Sequence, residues 1–151
     1  MNIGISFDTG GSKSSEVRTS FGMFLERQQD EVIGRIEDKI ANWTMIPMEN
    51  GESIQVLRYF IGQHYQPHHD WFGSNVNTNN GGQRLATVLM YLSNVDAGGE
   101  TAFPHADLSY LRSKGKPIVE SACSKGGLAV KPKKGDAILF WDQTPDNKVG
   151  V

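Results

Sequence analysis

The sequence predicts a mainly β fold with supporting helices. Residues 29–43 carry apolar side chains at helical spacing, whereas from Ser53 onward they alternate or form short runs bounded by Gly, Pro or Asp. Glycine accounts for 17 of the 151 residues, which favours many turns. One helix followed by several short strands is typical of a β-sandwich, a jelly roll or a barrel with helical support on one side.

The first half of the chain predicts a loop and then a helix. Residues 8–15 are rich in Gly, Ser and Thr and indicate a turn-rich loop. The helix at residues 29–43 pairs Glu31 with Arg35 four positions later, in the favourable order for an ion pair. Its apolar stripe, which we expect to face the core, comprises Val32, Ile33, Ile36, Ile40 and Trp43.

The strand patterns begin at residues 53–59, where apolar and polar side chains alternate. Residues 84–92 form the clearest strand, and because it is apolar on both faces we expect it to be central and covered. Shorter strands are predicted at residues 101–103, 128–130 and 137–141, and a loop at the Asn- and Gly-rich residues 75–82.

Composition excludes some classes of protein. The formal net charge of −2 is not that of a basic nucleic-acid binder or a polybasic membrane-binding surface. No apolar run approaches the roughly 18 residues of a membrane-spanning helix. Residues 1–7 lack the layout of a signal peptide. A length of 151 residues predicts one domain over residues 1–151.

His68 and Asp70 are candidate metal ligands. On an extended backbone, residues i and i+2 point to the same side, so one imidazole nitrogen and one carboxylate oxygen can meet one ion. A second His from a distant strand would complete the 2-His-1-carboxylate triad that binds Fe(II). The alternative is a polar surface tripeptide or a core His whose hydrogen bonds are satisfied, and His69 is expected to point away from the pair.

Thr87 and Tyr91 are candidate binding residues. They lie four positions apart on a predicted strand and therefore share a face. Hydroxyl groups on an apolar wall could orient a carboxylate ligand. The alternative is that both residues are present because they are common in strands.

Four stretches of the sequence carry a resemblance to a known family. They are DTGGSK and EVRTS within residues 8–20, YFIGQHYQPHHDWF at 59–72, GGQRLATVLMYL through GGET at 81–101, and LAVKPKKGDA at 128–137. Their order and spacing resemble the prolyl 4-hydroxylases, especially the plant and algal members, over residues 8–145.

The resemblance implies a double-stranded β-helix (jelly roll), here incomplete at both ends. It implies hydroxylation of peptidyl proline to 4-hydroxyproline with O2, 2-oxoglutarate, Fe(II) and ascorbate. His68 and Asp70 match the iron ligands, while Tyr59, Thr87 and Tyr91 match positions that line the 2-oxoglutarate pocket. Proline-rich proteins of the plant cell wall are the implied substrates, and the endoplasmic reticulum or Golgi is the implied location. A membrane anchor is expected only in a longer parent protein.

The sequence also departs from the family pattern. That pattern continues with a second iron-binding His and a Lys for 2-oxoglutarate, yet the ten residues after Trp141 contain no His. Lys148 does not stand in the context of that Lys, and His105 lies in a predicted loop. We therefore expect a chain truncated at both ends, with little or no hydroxylase turnover.

The sequence leaves two other functions open. The same fold could act as a binding or regulatory chain without catalysis. A zinc hydrolase would need a third metal ligand, and the sequence does not show one.

Overall fold

The computed structural model describes residues 2–3, 17–73, 82–118 and 121–144. The predicted loop at residues 8–15 lies outside this part, as does the loop at 75–82 apart from Gly82. The elements are, in order, β1 Asn2–Ile3, β2 Phe21–Phe24, α1 Glu31–Thr44, a 3-10 helix Met48–Asn50, β3 Gln55–Arg58, β4 Arg84–Met90, β5 Thr101–Phe103, α2 Ser109–Ser113, β6 Leu128–Val130 and β7 Ala137–Trp141. Strands predominate and helices are few, as predicted.

The strands described here form three sheets. One has three strands in the order β1-β4-β7, and the others are the pairs β2-β3 and β5-β6. β4 is central in its sheet, as its apolar composition predicts, and its Ala86 is completely buried. β2 and β3 are antiparallel, with Phe21 opposite Arg58.

The chain divides into two compact units. The first comprises Met1–Val88 with Leu139–Gly150, and the second comprises Leu89–Ile138 with Val151. α1, β2 and β3 belong to the first unit, whereas β5, α2 and β6 belong to the second. A single domain over residues 1–151 stays a prediction. Within the described ranges, no helix combines the length and apolar composition needed to cross a membrane.

α1 begins at an acidic N-cap. One carboxylate oxygen of Asp30 accepts hydrogen bonds from the amides of Val32 and Ile33, both at 2.9 Å. The bonds from Ile33 and from the Gln29 side chain lower the pKa of Asp30. The helix ends at Met45, whose φ of 58° is left-handed and cannot continue the helix.

The buried face of α1 differs from the predicted stripe. Ile33 is buried as expected, but Val32 and Trp43 are 54% and 50% exposed, which corrects the prediction. Glu37 and Thr44 are buried instead. Glu37 can occupy this face because it accepts a hydrogen bond from the Gln28 amide at 3.2 Å.

Gly127 allows β6 to start beside the end of β5. The two strands are antiparallel, with Phe103 opposite Leu128. A Cβ atom on Gly127 would overlap the carbonyl oxygen of Phe103 and lie 2.8 Å from backbone atoms of Pro104. A side chain at this position would therefore force the backbones apart.

The Gly127→Ala substitution is expected to lower the free energy of unfolding by about 1–3 kcal/mol, because neither backbone can yield without disturbing the strand pair. Gly34→Ala is the matched control. Gly34 lies in α1 with nothing within 4 Å of a built Cβ, so Ala is expected to stabilise the helix by about 0.5–1 kcal/mol. Urea unfolding of both variants checks the opposite signs, and equal effects would contradict this account.

Candidate metal site

Backbone hydrogen bonds anchor the segment that precedes His68. The amide of Gln66 donates to the carbonyl of Val17 at 2.8 Å, and the amide of Thr19 donates to the carbonyl of His64 at 3.1 Å. The Thr19 hydroxyl in turn accepts a bond from the His64 amide at 2.9 Å. These bonds hold an irregular segment in place without a regular strand pair.

Gln83 and Arg84 hold the same segment on its other side. The Gln83 side chain accepts from the Phe72 amide at 2.6 Å and donates to the Phe72 carbonyl at 2.9 Å. Arg84 donates from Nη1 to the carbonyl of Asp70 at 3.2 Å. Arg84 is the first residue of β4 and Gln83 directly precedes it, so the start of β4 positions Asp70 through its backbone.

Arg84 is itself buried, with a side chain only 4% exposed. Its Nε and Nη2 atoms donate to the two carboxylate oxygens of Glu52, each at 2.9 Å. The guanidinium also lies over the Phe72 ring, 4.4 Å from its centre. This planar, two-bond geometry is specific to Arg, and it joins β4 to Glu52, which precedes β3.

The side chains of His68 and Asp70 converge, as their spacing predicts. His68 Nε2 lies 3.1 Å from Asp70 Oδ1, while Nδ1 lies 2.8 Å from the carbonyl oxygen of Gln66. Tyr65 stacks on the His68 ring at 3.7 Å and fixes its plane. His69 does not join the pair, since its ring packs against Trp71.

The proton positions follow from these contacts. A carbonyl oxygen only accepts, so Nδ1 of His68 carries a proton. Nε2 then faces the Asp70 carboxylate either with a second proton or with a lone pair that a metal ion can take. A metal-bound His commonly donates its other N–H to a backbone carbonyl, as His68 does to Gln66.

The pKa values of the pair shift in opposite directions. Burial acts to lower the pKa of His68, but the hydrogen bonds to Asp70 and Gln66 outweigh it and raise the pKa. Burial acts to raise the pKa of Asp70, yet the bonds from His68 and Thr87 and the charge of Arg84 lower it. Both shifts favour an imidazolium beside a carboxylate.

The pair fits two neighbouring ligands of one metal ion. Two donors at right angles around an ion, with bonds of about 2.1 Å, lie about 3 Å apart. The Nε2–Oδ1 separation of 3.1 Å has this value. Among the described residues, no group of three or more His, Cys, Asp or Glu is placed to hold a metal. This part of the chain thus brings together two donors.

Thr87 and Asp142 complete the surroundings of Asp70. The Thr87 hydroxyl lies 2.8 Å from Asp70 Oδ2 and 3.0 Å from Asp142 Oδ2. Asp142 is 8% exposed, and burial together with the charge of Asp70 raises its pKa to about 7. The local sequence around Asp142 does not indicate this position. The amide of Asp142 donates to the Leu85 carbonyl on β4, and this bond places the side chain beside Thr87.

Tyr59 and Tyr91 have other surroundings. Tyr59 follows β3 and is 42% exposed. Tyr91 belongs to the second unit, where its hydroxyl donates to Thr101 at 2.8 Å and burial raises its pKa. A role in 2-oxoglutarate binding stays a prediction for both, as it does for Thr87.

The Arg84→Met substitution is expected to lower the free energy of unfolding by about 3 kcal/mol, because it takes the guanidinium from a buried carboxylate. Arg35→Met is the control, since the Arg35–Glu31 pair is exposed and its loss is expected to cost less than about 0.5 kcal/mol. Adding Glu52→Met to Arg84→Met is expected to recover part of the loss. Urea unfolding measures all three. Equal effects of the two Arg substitutions would show that the buried Arg84–Glu52 pair contributes no more to stability than the exposed Arg35–Glu31 pair, which would contradict this account.

Comparison with known proteins identifies the family. The 2OG-Fe(II) oxygenase superfamily matches residues 54–147, a range that contains His68, Asp70, Thr87 and Asp142. "Probable prolyl 4-hydroxylase 10" and "Prolyl 4-hydroxylase 5" of Arabidopsis thaliana are both 56% identical to the chain, and each alignment covers 91% of the chain and 47% of the relative. "Probable prolyl 4-hydroxylase 3" of the same plant is 52% identical over 92% of the chain and 48% of the relative.

The chain thus spans about half the length of these curated relatives. The chain belongs to the 2OG-Fe(II) oxygenase superfamily, as a relative of the plant prolyl 4-hydroxylases.

Proposed function

We propose that the protein hydroxylates peptidyl proline to 4-hydroxyproline, using Fe(II), O2 and 2-oxoglutarate, with ascorbate as the supporting reductant. The observation that carries the proposal is the convergence of His68 Nε2 and Asp70 Oδ1 at 3.1 Å. Membership of the oxygenase superfamily and the names of the relatives support it. The proposed fold is the jelly roll, with β4 as a central strand.

His68 and Asp70 are the residues that would hold Fe(II). When bound, the metal supplies the activation of O2, with 2-oxoglutarate as the co-oxidised partner. The protein's own contribution is orientation. The Gln66 carbonyl and the Tyr65 ring fix the imidazole, and the hydrogen bond from Thr87 to Oδ2 fixes the orientation of the Asp70 carboxylate.

We further propose that Tyr59, Thr87 and Tyr91 contact 2-oxoglutarate. The hydroxyl groups of Tyr59 and Tyr91 could orient a carboxylate, which is the chemistry that this cosubstrate requires, and Thr87 could contact it beside its hydrogen bond to Asp70. A proline-rich peptide is the proposed substrate, and the endoplasmic reticulum or Golgi is the proposed location. The names of the relatives support the substrate class, since each is a prolyl 4-hydroxylase or a probable one.

Metal affinity tests the assignment of the two ligands. His68→Ala and Asp70→Ala are each expected to weaken Mn(II) or Fe(II) binding by about 100-fold or more, since loss of a partner outside the ligand set already costs about 10–100-fold. His69→Ala is the matched control, because that ring packs on Trp71 and its loss is expected to leave affinity unchanged. Anaerobic titration calorimetry measures the three, and equal affinity of all variants would refute the site.

Turnover tests the reaction itself. In a longer protein that supplies the second iron-binding His and the Lys of the family pattern, release of CO2 from 2-oxoglutarate and formation of 4-hydroxyproline in a proline-rich peptide are expected to depend on His68 and Asp70 and not on His69. The 151-residue chain by itself is expected to show little or no turnover. Persistent hydroxylation by the His68→Ala variant would contradict the proposal. Peptide binding without turnover in metal-replete protein would instead favour a binding or regulatory chain.

A further inference from the structure

A single hydroxyl group lies between two acidic side chains. Thr87 Oγ1 is 2.8 Å from Asp70 Oδ2 and 3.0 Å from Asp142 Oδ2. A hydroxyl has one proton to donate, so it can satisfy only one of these two oxygens as a donor. The second acid must therefore be protonated and donate to the hydroxyl, because an ionised oxygen would be repelled by the lone pairs of the hydroxyl.

The surroundings decide which acid carries that proton. Asp70 receives the His68 ring at 3.1 Å, and its charge is favoured further by Arg84. Asp142 is 8% exposed and faces three charged groups, namely Asp70, Arg84 and His68. The nearest cations are engaged, because His68 pairs with Asp70 and Arg84 with Glu52.

Burial without a dedicated counter-ion favours the neutral form of a carboxyl. The neighbouring negative charge of Asp70 acts in the same direction as burial, and both raise the pKa of Asp142 to about 7. Hydrogen-bond geometry and electrostatics thus select the same proton position. It lies on Asp142, directed at Thr87.

We propose that Asp142 is a positioning residue that donates its carboxyl proton to Thr87 and through it orients the Asp70 carboxylate. The chain of donors runs from Asp142 to Thr87 Oγ1 and from Thr87 to Asp70 Oδ2. Oδ1 of Asp70 is thereby left to face His68. This inference rests on the proposed function where it concerns metal binding, and it needs no metal where it concerns the proton.

A different role for Asp142 makes the opposite predictions. An anionic Asp142 could bind the metal directly, beside His68 and Asp70. The intervening hydroxyl argues against this, since it separates the two acids by contacts of 2.8 and 3.0 Å. Asp142→Asn distinguishes the two roles, because an amide N–H can donate to Thr87 but carries no charge.

Stability against pH tests the proton in metal-free protein. The pKa of Asp142 is raised from 3.8 to about 7. The protonated carboxyl therefore contributes fully to the stability of the wild type below pH 3.8, and this contribution is lost as the pH rises to about 7. Asp142→Asn has no such proton to lose. Its stability relative to the wild type is expected to increase between pH 4 and 7 and to stay constant above that range.

Asp30→Asn is the control for this comparison. It keeps an N-cap, and because the pKa of Asp30 is lowered, the wild type gains stability relative to this variant as the pH rises. The two variants are thus expected to show pH trends of opposite sign in chemical unfolding. A flat difference between Asp142→Asn and the wild type over pH 4–7 would overturn the proposal.

Metal affinity tests whether Asp142 orients the Asp70 carboxylate through Thr87. Titration with Mn(II) at neutral pH is expected to give Asp142→Asn an affinity within about twofold of wild type. Asp142→Leu and Thr87→Val are each expected to weaken binding by about tenfold. The Thr87→Val/Asp142→Leu double variant is expected to bind Mn(II) no more weakly than Thr87→Val alone, because Asp142 cannot act on Asp70 once the Thr87 hydroxyl is absent.

Each contrary result has a defined meaning. Equal losses in Asp142→Asn and Asp142→Leu would show an anionic role and overturn the proposal, as would multiplicative losses in the double variant. Circular dichroism verifies that each variant is folded. If Asp142→Leu is unfolded, the affinity of Asp142→Asn relative to the wild type decides the test. Absence of Mn(II) binding in the wild type would refute the proposed metal site, while the pH comparison would still test the proton on Asp142.

Discussion

The buried pair of Arg84 and Glu52 is the interaction on which the site depends. A guanidinium that is 4% exposed is stable only when its donors are engaged, and Glu52 engages two of its nitrogens. A further nitrogen binds the Asp70 carbonyl. One side chain therefore joins three separate parts of the chain, and the position of Asp70 follows from the burial of Arg84.

Two carboxyl groups of the site have pKa values shifted in opposite directions because their surroundings differ. Asp70 lies beside the His68 ring and in the field of Arg84, which favours its charged form. Asp142 has the same hydroxyl neighbour, but burial and then the negative charge of Asp70 raise its pKa and favour its neutral form. Divergent environments of this kind let two chemically equal groups take different roles.

Local sequence patterns located most of the strands. The predicted bounds of β5, β6 and β7 agree with the structure, and β4 ends two residues earlier than predicted. These strands are short apolar runs between turn residues, so their signal is contained in a few neighbours. β2 was not predicted, because its Phe21 and Met23 are exposed and its pairing with β3 comes from a distant part of the chain.

The face of α1 shows where a periodic pattern reaches its limit. Spacing located the helix correctly, but it could not tell that Glu37 would be buried and Val32 exposed. That outcome depends on Gln28 and Arg27, which approach Glu37 from the residues before the helix. Burial of a polar side chain is decided by its partners, and helical periodicity contains no information about them.

The sequence by itself determined the convergence of His68 and Asp70, because the two residues lie two positions apart within one short segment of the chain. Only the tertiary structure decided that Thr87 and Asp142 would stand beside Asp70. Asp142 is 55 residues from Thr87 along the chain, and the two meet because β7 ends beside β4. Side-chain spacing is a local property, whereas the proton on Asp142 arises from burial and charge, which exist only once distant strands are paired.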